Sequence, residues 1–280
     1  MDGEQVDPLE QLAQTARIVC FAGLPGTGKS FFGRKLAELG SARGRNIHLL
    51  QWDAVRPAFE ASPSGRRYPM QAGVTHPMIR KAAGVWVRQA VLAWHELHPA
   101  EMNLLIGETP LVGNRFVELI RRHNDRSEAL LASEVCVFAV PVPSAAVRRE
   151  LEQARAKRSA ADGHDLGGAA PAVLEAAWDE LVEVSRKLGI PGTGAGTGSL
   201  PYDPVLYERV YRRILANRRR QVFHVDELDL VSVAAAGPPK FTMHPVVPTP
   251  DEAELTIRET EARYRRPVAL EREMENWYVV

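Results

Sequence analysis

Residues 23–30 read Gly-Leu-Pro-Gly-Thr-Gly-Lys-Ser, which fits G-x-x-x-x-G-K-[ST] at every fixed position. Before them runs Arg17-Ile18-Val19-Cys20-Phe21-Ala22, a short apolar and β-rich stretch that predicts a buried strand. After them, from Phe31 to Leu39, apolar residues recur at helical spacing. A strand, a glycine loop and a helix in that order make a phosphate-binding loop. Glycines let successive backbone N–H groups converge on phosphate oxygens, and the start of the helix adds positive partial charge. The expected nucleotide contacts are therefore Gly23, Pro25, Gly26, Thr27, Gly28, Lys29, Ser30 and Phe31. Lys29 is expected to reach the β- and γ-phosphates of ATP, and the Ser30 hydroxyl to hold Mg²⁺.

The remaining apolar runs set the fold class. Asn46–Gln51, Met102–Glu108, Val135–Val140 and Gln221–Val225 predict four further strands, with helical patterns between them. Strands alternating with helices predict an α/β fold: a mainly parallel five-stranded sheet with helices on both faces. Pro141 and Pro143 are expected to stop the fourth strand. Ser144 can then cap a helix carrying Arg148, Arg149, Arg155 and Arg158, the start of a helical lid spanning about 144–204. The glycine-rich run 192–199 follows a helix and lacks Lys-Ser, so it is read as a connector. A domain over 1–236 and an extension over 237–280, Pro-rich and then Glu/Arg-rich, complete the expected organisation.

In open parallel sheets ligands bind beyond the strand C-termini. Asp53 follows the second strand there, with Arg56 one helical turn later. The pair suits an acceptor hydroxyl and a phosphate; Asp53 could equally cap its helix. Glu108 ends the third strand, where a carboxylate can orient Mg²⁺ or its water, with Thr109, Asn114 and Arg115 in the loop beyond. Glu108 could also simply be exposed, and the lid arginines could form a solvated basic face.

Composition narrows the partners. Lys plus Arg equals Asp plus Glu at 35 each, so no global basic field argues for nucleic acid, and only the run Arg218-Arg219-Arg220 could grip a short RNA segment. No apolar run is long enough to span a bilayer, and the acidic, polar N-terminus is unlike a secretory signal; both point to the cytoplasm. The two cysteines, Cys20 and Cys136, fall inside predicted strands and read as small buried side chains.

Over roughly residues 17–228 the chain resembles small P-loop kinases, especially the zeta-toxin and seryl-tRNA kinase-like branch. The resemblance is carried by the phosphate loop, Asp53-Ala54-Val55-Arg56, Glu108-Thr109-Pro110, and Arg148-Arg149 with Arg155. It implies that Asp53 meets the acceptor hydroxyl as a base and that Arg149 and Arg155 clamp phosphate. The expected activity is an ATP- and Mg²⁺-dependent transfer of phosphate to a hydroxyl of a small molecule or carried metabolite. Two alternatives stay open: an ATPase switch acting on a protein partner or on itself through the extension, and a phosphotransferase acting on RNA.

Overall fold

The computed structural model describes residues 7–71, 73–162, 171–192, 200–228 and 240–280. After helix α1 (Pro8–Thr15), strand β1 (Ile18–Ala22) runs through the middle of the sheet with all of its residues buried. Ile18, Cys20 and Ala22 join one apolar cluster, Val19 and Phe21 a second on the opposite face. Both faces are covered, so the strand reads as an unbroken apolar run rather than an alternating one. Cys20 and Cys136 are free and buried as expected, and burial pushes the Cys136 thiol up to about 12.

The chain continues through α2 (Lys29–Ala42), β2 (Asn46–Gln51), α3 (Trp52–Ala61), α4 (Pro77–Leu97), β3 (Asn103–Thr109), α5 (Arg126–Leu131) and β4 (Cys136–Pro143). Then come α6 (Ala145–Asp162), α7 (Pro171–Lys187), α8 (Pro204–Ile214), β5 (Arg220–Val225), β6 (Met243–Pro245), α9 (Pro250–Arg263) and α10 (Pro267–Glu275). The strand order is β5-β4-β1-β3-β2-β6, and every pairing is parallel. The α/β class and the flanking helices are as predicted.

The sheet has six strands, not the expected five. The sixth, β6, pairs Met243 with Ile47 and Pro245 with Leu49, and Val246 donates to the Leu49 carbonyl at 2.7 Å. Three residues are too few for a period of two to mark. β4 also runs past Pro141 and Pro143, which were expected to end it. Phe138 donates toward β5, so N–H groups of odd-numbered residues in β4 point toward β1. Pairing with β1 ends at Ala139, while pairing with β5 continues to Pro143 and Val225. Both prolines therefore lack a donor only where no partner strand remains.

Helix starts follow their caps. His76 caps α4 by accepting the Met78 N–H at Nδ1, 3.1 Å, with Pro77 in the first turn. Thr249 and Glu252 form a reciprocal capping box at α9. Ala253 and Ile257 of α9 enter the main core, Glu254 accepts from the Ser64 hydroxyl at 2.6 Å, and Trp277 is buried. The predicted boundary at residue 237 lies outside the described residues, as does most of the connector at 193–199.

One buried charge network ties α10 to this body. Lys81 on α4 is fully buried and lies 2.6 Å from Glu118 and 2.5 Å from Glu273. His123 Nε2 lies 2.7 Å from the other oxygen of Glu118, and Arg121 pairs with Glu273. Burial alone would raise the Glu118 pKa, but His123, Lys81 and Arg121 outweigh it and bring the carboxyl down to about 2.

Candidate phosphoryl-transfer site

The glycine loop leaves the C-terminal end of β1 and enters α2 directly. Gly26 and Gly28 have φ of 82° and 85°, in the left-handed region where a side chain costs about 1–2 kcal/mol. Gly28 is the N-cap of α2 and brings no side-chain cap, so the first N–H groups of the helix have no side-chain cap at that position. The Leu24 carbonyl gathers the loop: it accepts the Thr27 hydroxyl at 2.9 Å and the Lys29 ammonium at 2.8 Å. Gly23 N–H donates to the Thr109 carbonyl at 3.2 Å, which fixes the loop to the end of β3.

Glu108, at that same end, accepts the Ser30 hydroxyl at 2.9 Å on Oε2 and the Gln51 amide at 3.0 Å on Oε1. Parallel pairing explains the meeting: β1 and β2 both flank β3, with Phe21 and Gln51 in register with Glu108. An exposed hydroxyl and a carboxylate beside a phosphate loop form an oxygen donor set suited to Mg²⁺, which takes few protein ligands and completes its shell with phosphate and water. The two residues predicted to share the metal are thus in contact.

Asp53 lies in the first turn of α3 and is exposed; Gln51 is the N-cap, so Asp53 does not cap the helix. Arg56 is held to both oxygens of Glu60 at 3.0 Å. Phe31 sits edge-on to Phe32 on α2, with ring centres 5.0 Å apart.

Helices α6 and α7, within the predicted lid region, lie against the loop. A Cβ built at Gly26 would meet Glu152 of α6 at 3.6 Å and Leu174 of α7 at 3.7 Å; one at Gly28 would meet Leu151 at 3.6 Å. Of the lid arginines, Arg148 is buried, bonded to Glu152 at 2.8 Å and stacked 4.3 Å from the Tyr202 ring centre. Arg149 is exposed, and the side chains of Arg155 and Arg158 lie outside the described residues.

Sequence reasoning placed Asn114 and Arg115 in the loop beyond Thr109 but missed Arg80, Glu180 and Trp277, which gather around it, and the backbone form of the loop. Leu111, Asn114 and Phe116 have φ of 60°, 57° and 59°, a run of left-handed non-glycine residues that costs about 1–3 kcal/mol each and marks functional loops. Arg80 donates to the Gly113 carbonyl at 2.5 Å, while Glu180 accepts the Gly113 N–H at 3.0 Å and the Trp277 indole at 2.8 Å on one oxygen. Among the described residues neither Arg80 nor Arg115 forms an ion pair. Their Nε atoms and the Asn114 Nδ2 are buried without a partner, at about 1–3 kcal/mol each. Burial and the neighbouring Arg115 charge lower the Arg80 pKa to about 10; burial also lowers that of Arg115, against Glu180 and Asp53, which raise it.

Of the run at 218–220, Arg219 and Arg220 are exposed and Arg218 is used internally. Arg218 is buried and bonded to Glu128 at 2.8 Å and to the Leu119 carbonyl at 2.8 Å, which removes it from any surface contact. No helix among the described residues is long and apolar enough to cross a membrane.

A parallel sheet centred on a strand–glycine loop–helix unit defines an α/β fold with the loop at the C-terminal end of β1. The structure is similar to that of shikimate kinase from Acinetobacter baumannii in complex with shikimate, at 17% sequence identity and a TM-score of 0.30, over 74% of this chain and 98% of that one. No protein-family model matches the chain, and no curated protein matches it.

Proposed function

We propose that the chain is a Mg²⁺- and ATP-dependent phosphotransferase acting on a hydroxyl of a small molecule or a carried metabolite. The Ser30–Glu108 contact at 2.9 Å carries this reading, because it joins the phosphate loop to a carboxylate from another strand. The backbone amides of Gly26 to Lys29, with Gly23, Pro25 and Thr27 shaping the loop, hold the phosphates, and Lys29 offsets their charge. Phe31 borders the nucleotide. Ser30 and Glu108 hold Mg²⁺ or its water. Bound there, the ion supplies neutralisation of charge on the β- and γ-phosphates.

Asp53 accepts the acceptor's proton as the acceptor oxygen bonds to the γ-phosphorus. The bond from that phosphorus to the bridging oxygen breaks, and ADP leaves with the electron pair. Arg56 and the lid arginines, Arg149 and Arg155 with Arg148, offset charge on the transferred group and exclude water. Positioning and electrostatics supply most of the acceleration.

The test is ATP consumption by the purified full chain with Mg²⁺ and pooled hydroxyl-bearing metabolites, with Lys29→Ala as control. The expected result is metabolite-dependent ADP release and a product heavier by one phosphate, both lost in Lys29→Ala without loss of fold. Slow release that no metabolite stimulates would replace this reading by the switch. The burial of Arg218 weighs against RNA as acceptor.

A further inference from the structure

The group around Arg80 and Arg115 lies outside the phosphate loop, yet it adjoins the site. Gly23 of the phosphate loop is bonded to Thr109, and the first left-handed residue, Leu111, comes two positions later. Arg115 lies within electrostatic reach of Asp53 and Arg56, and the Trp52 ring packs 5.3 Å from that of Phe116.

Glu180 acts on both guanidinium groups and Asp53 on that of Arg115, yet among the described residues neither carboxylate forms an ion pair with them. Arg56 is bonded to Glu60, and one Glu180 oxygen is taken by Gly113 and Trp277. A Cβ built at Gly113 would lie 3.6 Å from the Arg80 guanidinium, 3.9 Å from that of Arg115 and 3.9 Å from the second Glu180 oxygen, so the two like charges stand close together. Each carries a buried donor with no partner, and Asn114 adds a third. Like charges brought together beside unsatisfied N–H groups, on a backbone held in costly conformations, make a receptor for an oxyanion.

We propose that the acceptor carries a carboxylate or phosphate group that docks on Arg80 and Arg115 with Asn114, presenting its hydroxyl to Asp53. This rests on the phosphotransferase reading and narrows it: hydroxy acids and phosphorylated alcohols are substrates, and neutral polyols are not. Glu180, Gly113 and Trp277 are positioning residues that hold the loop in its bent form.

The test separates anion binding from turnover. The full chain is loaded with Mg²⁺ and a non-hydrolysable ATP analogue to fill the phosphate loop. Malonate and inorganic phosphate are then titrated by calorimetry into wild type, Arg115→Met, Arg115→Lys and Arg80→Met. One anion is expected to bind, with affinity falling about 10- to 100-fold in the Met variants. Arg115→Lys, which keeps the charge without the fork, should lose less. Binding of malonate alone identifies a carboxylate acceptor, and of phosphate alone a phosphorylated one. If neither anion binds, or if all variants bind as wild type does, the proposal is overturned; analogue affinity reports whether each variant is folded. Turnover of neutral polyols, unchanged in Arg115→Met, would overturn it while leaving the phosphotransferase standing. Anion binding lost in Arg115→Met, with no acceptor stimulating ADP release, would keep the anion site and remove the phosphotransferase.

Discussion

Glu118→Gln tests the buried network that fastens α10 to α4. The wild-type carboxyl drops from 4.5 in the unfolded chain to about 2 in the folded one. At about 1.4 kcal/mol per tenfold change in proton affinity, the ionised form contributes about 3 kcal/mol. A depressed carboxyl stabilises above its unfolded pKa and loses that contribution as pH falls from 4.5 toward 2. At pH 3, only about half should remain. An independent figure agrees: breaking one side of a buried ion pair costs about 3–5 kcal/mol, because Lys81, fully buried, would keep only Glu273. The variant should therefore unfold about 3 kcal/mol more easily at pH 7, lowering the melting point by about 6–12 °C for a chain of this size. The gap should narrow to about 1–2 kcal/mol at pH 3. Urea unfolding followed by tryptophan fluorescence measures both values, since Trp86 and Trp94 share α4 with Lys81. A loss below 1 kcal/mol at pH 7, or one equal at the two pH values, would refute the argument. Replacing the pair together, as Lys81→Met with Glu118→Leu, should recover much of the loss.

Further predictions concern the site. Asp53→Asn should lower kcat by about 10²–10⁴ with little change in nucleotide affinity; equal losses in both, by steady-state kinetics and nucleotide titration, would remove it as base. Ser30→Ala and Glu108→Gln should each raise the Mg²⁺ concentration needed for half-maximal rate, and the double variant should lose less than the two effects added, since the residues act as a unit. Trp277→Phe removes the indole donor to one Glu180 oxygen, at about 1 kcal/mol of stability, and adds the cost of the void left by the smaller ring. It should raise the acceptor KM while leaving the ATP KM unchanged; equal changes in both would deny the tail a positioning role.

How far each feature was legible depended on where its information lies. The phosphate loop is local and of fixed spacing, so eight consecutive residues declare it. Glu108 was legible because a carboxylate closing an apolar strand stands out, and its contact with Ser30 follows once β1 and β3 are neighbours. The lid arginines show the limit of a cluster argument. Val147 and Leu151 mark the inward face of α6, and one residue's rotation puts Arg148 on it and Arg149 in solvent. Arg80 was hidden inside an amphipathic pattern that α4 needs for packing alone. Nothing in Leu111 or Phe116 announces a left-handed backbone, because tertiary contacts impose it against local preference. β6 and Trp277 find partners about 200 and 100 residues away, at a range no periodicity spans.

The sixth strand and Trp277 also order the assembly of the molecule in time. β2 presents an open edge of N–H and C=O groups until residues 243–245 arrive to cover it. The bend beyond Thr109 keeps one of its anchors missing until residue 277 has been made. A nascent chain that already holds the whole phosphate loop would therefore have neither a closed sheet edge nor a finished bend beyond Thr109. Nucleotide binding should precede catalytic competence during synthesis, and chains halted before residue 243 should self-associate through β2.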